Sequence, residues 1–143
     1  MAKFEGGCDH VHTSSDAEPI DNHVCHCNVC KRVTGQQTTH VLFFRHGDLR
    51  VDNESNLDRQ PFNSENPAGP LELCTCKTCG APIMLDDKEN RIRAIVPNVM
   101  NVSPDPEATY HAFYDSTKPY PRPDDGRPVY EGLRPEFSWP QPS

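Results

Sequence analysis

The sequence has no long hydrophobic run. No stretch of its 143 residues reaches membrane-spanning length, and residues 1–6 contain no apolar segment of the kind found in secretory signal peptides. We therefore expect no membrane partner and a reducing, cytoplasmic compartment, in which thiols stay unpaired.

Positive charge is also scarce. Lysine and arginine together number 14, against 21 aspartate and glutamate residues, which gives a formal net charge of −7. Because nucleic-acid binding relies on clustered positive charge, this balance argues against nucleic acid as the main partner. We expect small-molecule partners instead, and the composition leaves open whether the chain forms a homo-oligomer.

Apolar residues are too few for a large core. Hydrophobic residues make up 34% of the chain and aromatic residues 8%, and 15 prolines and 8 glycines interrupt regular structure. We expect one domain, spanning residues 1–143, whose thin core needs additional support. The seven cysteines are suited to this role. Their odd number and tight clustering favour metal binding over a disulfide framework.

The local patterns predict a mostly β fold with no long amphipathic helix. Segments rich in β-branched and aromatic residues predict strands at residues 38–45, 49–51, 71–75, 83–85, 91–96 and 109–114. The first two strands are expected to form a hairpin. Polar stretches predict loops at 13–22 and 52–70, and residues 103–107 predict one helical turn. Seven prolines from Lys118 onward predict an irregular tail, residues 118–143, that wraps the domain surface.

Cysteine and histidine residues at both ends of the first 80 positions have the spacing of zinc ligands. Cys8 and His10 form a C-x-H pair, and Cys76 and Cys79 form a C-x-x-C pair followed by glycine. Since Zn²⁺ favours four tetrahedral thiolate or imidazole ligands, these residues predict a closed structural site that ties the N-terminus to mid-chain. In the alternative, Cys74 replaces His10 as the fourth ligand. Otherwise Cys74 is a small buried apolar residue.

A middle cluster consists of Cys25, Cys27 and Cys30 in a C-x-C-x-x-C pattern. Three thiolates leave one tetrahedral position of a second zinc ion unfilled. Water or substrate in that position would make the site catalytic, whereas a fourth side chain would make it structural. The candidates for closing it are His23, His26 and Cys74. Spacing alone does not decide between the two arrangements.

Several motifs together resemble one known family. They are Gly6-Gly7-Cys8, Cys25-His26-Cys27-x-x-Cys30-Lys31-Arg32-x-Thr34-Gly35 and Cys76-x-x-Cys79-Gly80-x-Pro82. These motifs are similar to the signature of the glutathione-dependent formaldehyde-activating enzymes, a family that includes the centromere protein V-like proteins. Further similar segments, among them residues 125–132, extend the resemblance along nearly the whole chain.

The resemblance implies a small zinc-stabilised β fold of the β-tent type with two zinc ions. It implies that the first and third clusters hold a structural zinc and that Cys25, Cys27 and Cys30 hold a catalytic zinc with an open position. It also implies that glutathione is the co-substrate of a carbon–sulfur lyase. In that reaction a thiol adds reversibly to a small carbonyl compound such as formaldehyde.

The chain departs from the family pattern at several positions. His10 stands where members usually have a second cysteine, and Tyr120 stands where many have tryptophan. Gln36 and Gln37 replace smaller or more apolar residues that would face a pocket beside the middle cluster. These two glutamines are therefore candidate pocket residues, and they favour a substrate other than formaldehyde itself.

An open Zn(Cys)₃ position would hold glutathione as an activated thiolate, because the cation stabilises the deprotonated sulfur. Lys31 and Arg32 follow the middle cluster and are candidate partners for the carboxylates of glutathione. In the alternative, Lys31 and Arg32 are simply two solvent-exposed charged residues that bind no ligand.

The oxygen of a thiol adduct must gain a proton, so the site also needs a proton-transfer group. The candidates are His40, His111 and Tyr114. A strand histidine can equally be an ordinary hydrogen-bonded residue. Two other functions stay open: the same fold acting on a different thiol adduct or carbonyl in a biosynthetic or detoxification pathway, and a non-catalytic zinc-stabilised binding module. A fourth protein ligand at the middle cluster would indicate the binding module.

Overall fold

The structure is a computed structural model that describes residues 2–26, 38–63, 66–117 and 122–142. It confirms the prediction of a mostly β fold in a single domain. The strands in the described part of the chain are β1 Phe4–Gly7, β2 His12–Ser15, β3 Asp21–Cys25, β4 Thr39–Arg45, β5 Arg50–Val51, β6 Leu57–Pro61, β7 Leu71–Cys76, β8 Pro82–Asp87, β9 Ile92–Ile95 and β10 Tyr110–Ala112. The helical segments there are the turns His46–Asp48, Glu54–Asn56 and Pro97–Met100. None of these helices is long and apolar enough to cross a membrane.

The strands form two sheets. The larger has seven strands in the order β10-β3-β4-β9-β8-β7-β6, and the smaller has three in the order β1-β2-β5. Neighbouring strands are antiparallel except for β10, which runs parallel to β3. This parallel pair matters for the functional site, because it places two segments that are far apart in the sequence side by side in the sheet.

Strand β4 lies inside the large sheet because it is apolar on both faces. Its residues Leu42 and Phe44 are fully buried, and the Phe44 ring packs edge-on against Phe4 of the small sheet, with ring centroids 5.5 Å apart. On the other face Phe43 packs against Phe137 and Trp139 of the C-terminal segment. The core therefore lies between the two sheets, and the C-terminal segment covers the opposite face of the large sheet.

Two segments predicted as loops contain strands, so those predictions are wrong. Residues 13–22 include most of β2 and the start of β3, and residues 52–70 include β6. Strand β2 is polar, and its pairing with β1 is what makes it a strand. Strand β6 is an exposed edge strand in which Leu57 alone is buried, so it has almost no hydrophobic alternation to detect.

The predicted hairpin and the predicted helical turn are also wrong. The turn His46–Asp48 redirects the chain, so β5 pairs with β2 of the small sheet instead of with β4. The helical turn lies at Pro97–Met100, with proline at its start, a favourable position for that residue. Ser103 instead pairs with Glu5 of β1.

A network of charges centred on the buried residues Arg93 and Asp86 ties the exposed Glu54 to the large sheet. Arg93 of β9 donates to Glu54 Oε1 at 2.6 Å and to Asp86 Oδ1 at 3.3 Å. Arg59 of β6 donates to the other oxygen of Asp86 at 2.8 Å. Because each buried carboxylate and guanidinium has a partner, the network holds residues 54–56 in place beside the end of β7. One of these residues, Asn56, contacts a candidate metal ligand.

Candidate functional site

The turn after β1 and the turn between β7 and β8 meet in a cluster of four candidate metal ligands: Cys8, His10, Cys76 and Cys79. One potential ligand atom from each lies within 4.8 Å of the other three. In a tetrahedral zinc site with Zn–S bonds of about 2.3 Å, the ligand atoms lie about 3.8 Å apart. The three thiols and one imidazole therefore fit a zinc ion in both chemistry and spacing, with only small adjustments.

The first ligand pair is positioned by a tight turn at the end of β1. Gly7 has a φ of 101°, and a Cβ atom there would lie 2.2 Å from the carbonyl oxygen of Val11. Only glycine fits this position. The turn lets the Cys8 N–H donate to Val11 O at 2.9 Å and the His10 N–H donate to Cys8 Sγ at 3.4 Å. Cys8 and His10 thus face the same point.

The second ligand pair lies in the turn between β7 and β8. The N–H of Gly80, with φ 78°, donates to Cys76 O at 2.8 Å and closes the turn. The amide of Asn56 donates to Cys76 Sγ at 3.5 Å. Burial acts to raise the pKa of Cys76, but hydrogen bonds from the backbone N–H groups of Cys79 and Thr78 and from neighbouring thiols lower it to about 6. The turn is therefore built to stabilise a thiolate, the form of cysteine that binds zinc.

Cys74 is separate from this cluster, which contains His10 as its fourth member. The Cys74 side chain is fully buried in β7. Burial raises the pKa of its thiol to about 12. Such a thiol is an unreactive apolar group, as the sequence predicted for a cysteine that is not a ligand.

The middle cluster begins at the end of β3. Cys25 is buried and pairs across the sheet with Thr39 of β4 and Ala112 of β10. The other predicted residues of this region lie outside the described residues: Cys27, Cys30, Lys31, Arg32, Gln36 and Gln37. The geometry of the proposed catalytic zinc therefore remains a prediction from the sequence, anchored at Cys25.

A chain of hydrogen bonds starts at the residue after Cys25. His26 Nε2 lies 3.0 Å from His111 Nδ1, and His111 Nε2 lies 2.9 Å from a carboxylate oxygen of Asp125. A carboxylate only accepts hydrogen bonds, so the His111 proton is on Nε2 and its Nδ1 accepts from the N–H of His26 in the neutral imidazole. The backbone N–H of Arg127, and then His111, lower the pKa of Asp125 and keep it a carboxylate.

The parallel pairing of β10 with β3 creates this arrangement. The backbone N–H of His26 donates to Ala112 O at 3.0 Å, which places the His26 ring beside that of His111. The backbone N–H of His111 donates to Pro128 O at 2.8 Å, and this contact brings Asp125 within hydrogen-bonding distance of the His111 ring. The chain His26–His111–Asp125 is thus supported by backbone hydrogen bonds on two sides.

The other two predicted proton-transfer residues differ in position. Tyr114 lies at the site, since its ring packs edge-on against that of His26 with centroids 5.8 Å apart. His40 is instead bound by Asn22 and by Asp105, whose Oδ1 lies 2.8 Å from His40 Nδ1. Burial lowers the pKa of His40, although Asp105 acts in the opposite sense. The structure thus groups His111 and Tyr114 with His26 and gives His40 separate partners.

Sequence reasoning missed two members of this arrangement. The sequence makes His26 a candidate only for closing the middle cluster, and it places Asp125 only within a segment of family resemblance. His26 and His111 are separated by 85 positions in the sequence, and no local pattern links them. Their contact depends on the pairing of β3 with β10.

An apolar cavity of about 370 Å³ lies beside Cys25. Its walls come from β3, β4, the segment before β7 and the first residue of that strand, β8, the residue after β10 and the C-terminal segment. Its lining includes His23, Cys25, Phe43, Leu71, Phe113 and Trp139. His23 and Cys25 are two positions apart on β3, so their side chains share one face of the sheet.

The chain is similar to one described protein family and to a solved structure. The family model described as "Glutathione-dependent formaldehyde-activating enzyme" matches residues 2–116. A crystal structure of a Rhodobacter sphaeroides protein, a Northeast Structural Genomics target, is similar at 22% identity, with a TM-score of 0.49 and coverage of 71% of this chain and 91% of that one. No curated protein matches the chain.

Proposed function

The chain belongs to the glutathione-dependent formaldehyde-activating enzyme family, and we propose that it is a zinc-dependent carbon–sulfur lyase. It would catalyse the reversible addition of a thiol such as glutathione to a small carbonyl compound. The observation that supports this best is the hydrogen-bonded chain His26–His111–Asp125, which starts at the residue after Cys25.

The two proposed zinc sites have different roles. Cys8, His10, Cys76 and Cys79 would hold a structural ion, because four protein ligands close the tetrahedron. Cys25, Cys27 and Cys30 would hold the catalytic ion. When bound there, zinc would stabilise the thiolate of an incoming thiol at neutral pH.

The reaction needs one proton to change partners. The thiol loses its proton, its sulfur forms a bond to the carbonyl carbon, and the carbonyl oxygen gains a proton to give a hemithioacetal. The reverse reaction cleaves the same C–S bond. No oxidant or reductant takes part, so the protein must only align the reactants and hold the proton.

We assign the proton-holding role to His111, which would gain a proton at Nδ1 along its hydrogen bond from His26 Nε2 while His26 takes up the proton that the thiol loses. Asp125 orients its imidazole and stabilises the positive charge that a bound proton brings. The hydrogen bond to His26 directs His111 toward the Cys25 end of β3. Tyr114, packed on His26, would restrict the rings and exclude water from this side. Lys31, Arg32, Gln36 and Gln37 are proposed to bind the polar parts of glutathione.

The test is to measure formation of the hemithioacetal from glutathione and formaldehyde by exchange NMR on the zinc-loaded protein. We expect Cys27→Ser to abolish catalysis of this exchange while the variant stays folded and retains about one zinc per chain. Zinc spectroscopy showing four protein ligands at the middle cluster would indicate a binding module instead. Zinc with an open position in a protein that does not accelerate this exchange would indicate a different thiol adduct or carbonyl as the substrate.

A further inference from the structure

We propose that the apolar cavity beside Cys25 binds the hydrophobic group of a substrate larger than formaldehyde: a thioether or aldehyde with an aryl or branched alkyl substituent. This inference rests on the proposed function only in placing the reacting end of that molecule near Cys25. The apolar lining of the cavity supports binding of a hydrophobic group independently of that function.

The cavity has the size and lining of a ligand site. Its volume of about 370 Å³ lies within the range of small-molecule pockets, about 300 to 1,000 Å³. Phe43 and Leu71 provide apolar walls from two different strands. Formaldehyde has only two non-hydrogen atoms, and the peptide part of glutathione is polar, so neither accounts for an aromatic cavity of this size. A substrate with an apolar substituent accounts for both the size and the lining of the cavity.

Two exposed aromatic side chains meet at this cavity. Phe113 is 37% exposed and Trp139 is 39% exposed, and these are the large hydrophobic residues that stand open to solvent among those described. Both line the cavity, although they come from different segments of the chain. Exposed apolar side chains that cluster at one site mark a place where a partner or ligand binds.

Phe113 is also held in an unfavourable backbone conformation. Its φ of 57° lies in the left-handed region, which bulky residues avoid. The conformation places its ring edge-on to His23, with centroids 6.3 Å apart. Strained residues of this kind concentrate at ligand sites, where the position of the side chain matters more than the local strain.

One polar group is fixed in the apolar wall. Asp21 Oδ2 lies 2.7 Å from His23 Nδ1 and accepts from the Tyr110 hydroxyl at 2.7 Å, while Arg134 donates to Oδ1 at 2.7 Å. These contacts lock the His23 ring in one orientation. A pocket with mostly apolar walls and one oriented polar group binds a ligand in a defined direction. Cys25 and His23 then mark the end of the cavity where the sulfur or carbonyl of the ligand belongs.

Trp139 makes the proposal testable without turnover. It is the single tryptophan of the chain and lines this cavity. Because Trp139 also lines a second cavity beside Arg45 and Arg134, a change in its emission is assigned to the cavity beside Cys25 only where variants of that cavity's lining abolish it. The zinc-loaded protein is titrated with glutathione, S-methylglutathione and S-benzylglutathione, which share one polar part and differ in the apolar group. We expect S-benzylglutathione to change the Trp139 emission with a Kd at least tenfold below that of S-methylglutathione.

Two leucines on one strand give a matched pair of variants. Leu71 lines the cavity, whereas Leu73 is similarly half-buried on β7 but is not part of its lining. We expect Leu71→Ala to weaken S-benzylglutathione binding at least fivefold and Leu73→Ala to leave it unchanged. Phe113→Asn removes the exposed ring while placing a residue that tolerates φ > 0, and it should weaken binding similarly.

The outcomes separate this inference from the proposed function. Tight binding of S-benzylglutathione that depends on Leu71 and Phe113 supports the cavity assignment even if no thiol–carbonyl chemistry is found. Equal affinities for the S-methyl and S-benzyl compounds, or equal effects of Leu71→Ala and Leu73→Ala, overturn it, even in a protein that activates formaldehyde.

Discussion

The imidazoles of His26 and His111 share a hydrogen bond of 3.0 Å although 85 positions separate them in the sequence. One ring follows Cys25 at the end of β3, and the other lies on β10, which runs parallel to β3. This contact connects the middle cysteine cluster to Asp125. It makes the edge of the large sheet part of the candidate active site.

Asp125→Asn tests whether this connection serves catalysis. The variant should keep the fold and lower kcat at least about tenfold, because an amide stabilises a protonated His111 less than a carboxylate does. The KM for glutathione should stay near that of the wild type, since Asp125 is not proposed to touch it. Asp124→Asn is the matched control, because Asp124 is the exposed neighbouring carboxylate. A parallel fall in kcat for both variants would contradict the role of Asp125.

Cys79→Ser and Cys74→Ser test the assignment of the structural zinc. Cys79 belongs to the four-residue cluster, whereas Cys74 is buried outside it. We expect Cys79→Ser to lose about one zinc per chain and to unfold, because the free energy of metal binding contributes directly to folding. Cys74→Ser should retain its zinc, as measured by metal analysis of the purified protein. Loss of zinc from both variants would indicate that Cys74 is a ligand.

Gly7→Ala tests the turn that positions Cys8 and His10. A Cβ atom at this residue would lie 2.2 Å from Val11 O, in a backbone with φ 101°. We expect the variant to bind the structural zinc more weakly and to lower the free energy of unfolding by about 2 kcal/mol or more. Gly132→Ala is the control, since its Cβ would meet no atom within 4 Å. Similar zinc affinity in both variants, measured by competition with a chelator, would contradict the role of the turn.

Asp21 makes stability depend on pH in the acid range. Burial acts to raise its pKa, but hydrogen bonds from His23, Tyr110 and Arg134 outweigh burial and lower the pKa below its ordinary value of 3.8. A carboxylate with a lowered pKa stabilises the native state above its unfolded pKa, and this stabilisation is lost as the pH falls through the folded pKa. The contribution of Asp21 should therefore be constant above about pH 5 and shrink below about pH 4.

Denaturant unfolding of Asp21→Asn across this pH range is the measurement. We expect the free energy of unfolding to fall by about 3 kcal/mol at pH 7, because the substitution disrupts the hydrogen bonds and the ion pair of a fully buried carboxylate. The difference in the free energy of unfolding between the variant and the wild type should become smaller as the pH is lowered. Asp16→Asn removes only a surface ion pair with Arg50 and should cost less than about 1 kcal/mol. A difference between Asp21→Asn and the wild type that does not change between pH 7 and pH 3 would refute the expected linkage.

Strand predictions succeeded where the strand is apolar and failed where it is polar. Strand β4 is recognisable because both of its faces are buried, as Leu42 and Phe43 show. Strands β2 and β6 have little hydrophobic pattern, so only their pairing with β1 and β7 makes them strands. The pairing of β5 with β2 could not be foreseen either, because adjacent strands favour a hairpin unless tertiary contacts turn the chain away.

The sequence by itself determined which residues can bind metal, because chelating pairs such as Cys76 and Cys79 lie close enough along the chain for spacing alone to bring their sulfurs together. It also determined the β class and the family. Only the tertiary structure decided that His10 lies in the cluster and Cys74 does not, and that His26 meets His111. It alone brought Phe113 and Trp139 to one cavity beside Cys25. These contacts join segments far apart in the chain, and the register of the strands, which local patterns do not encode, sets them.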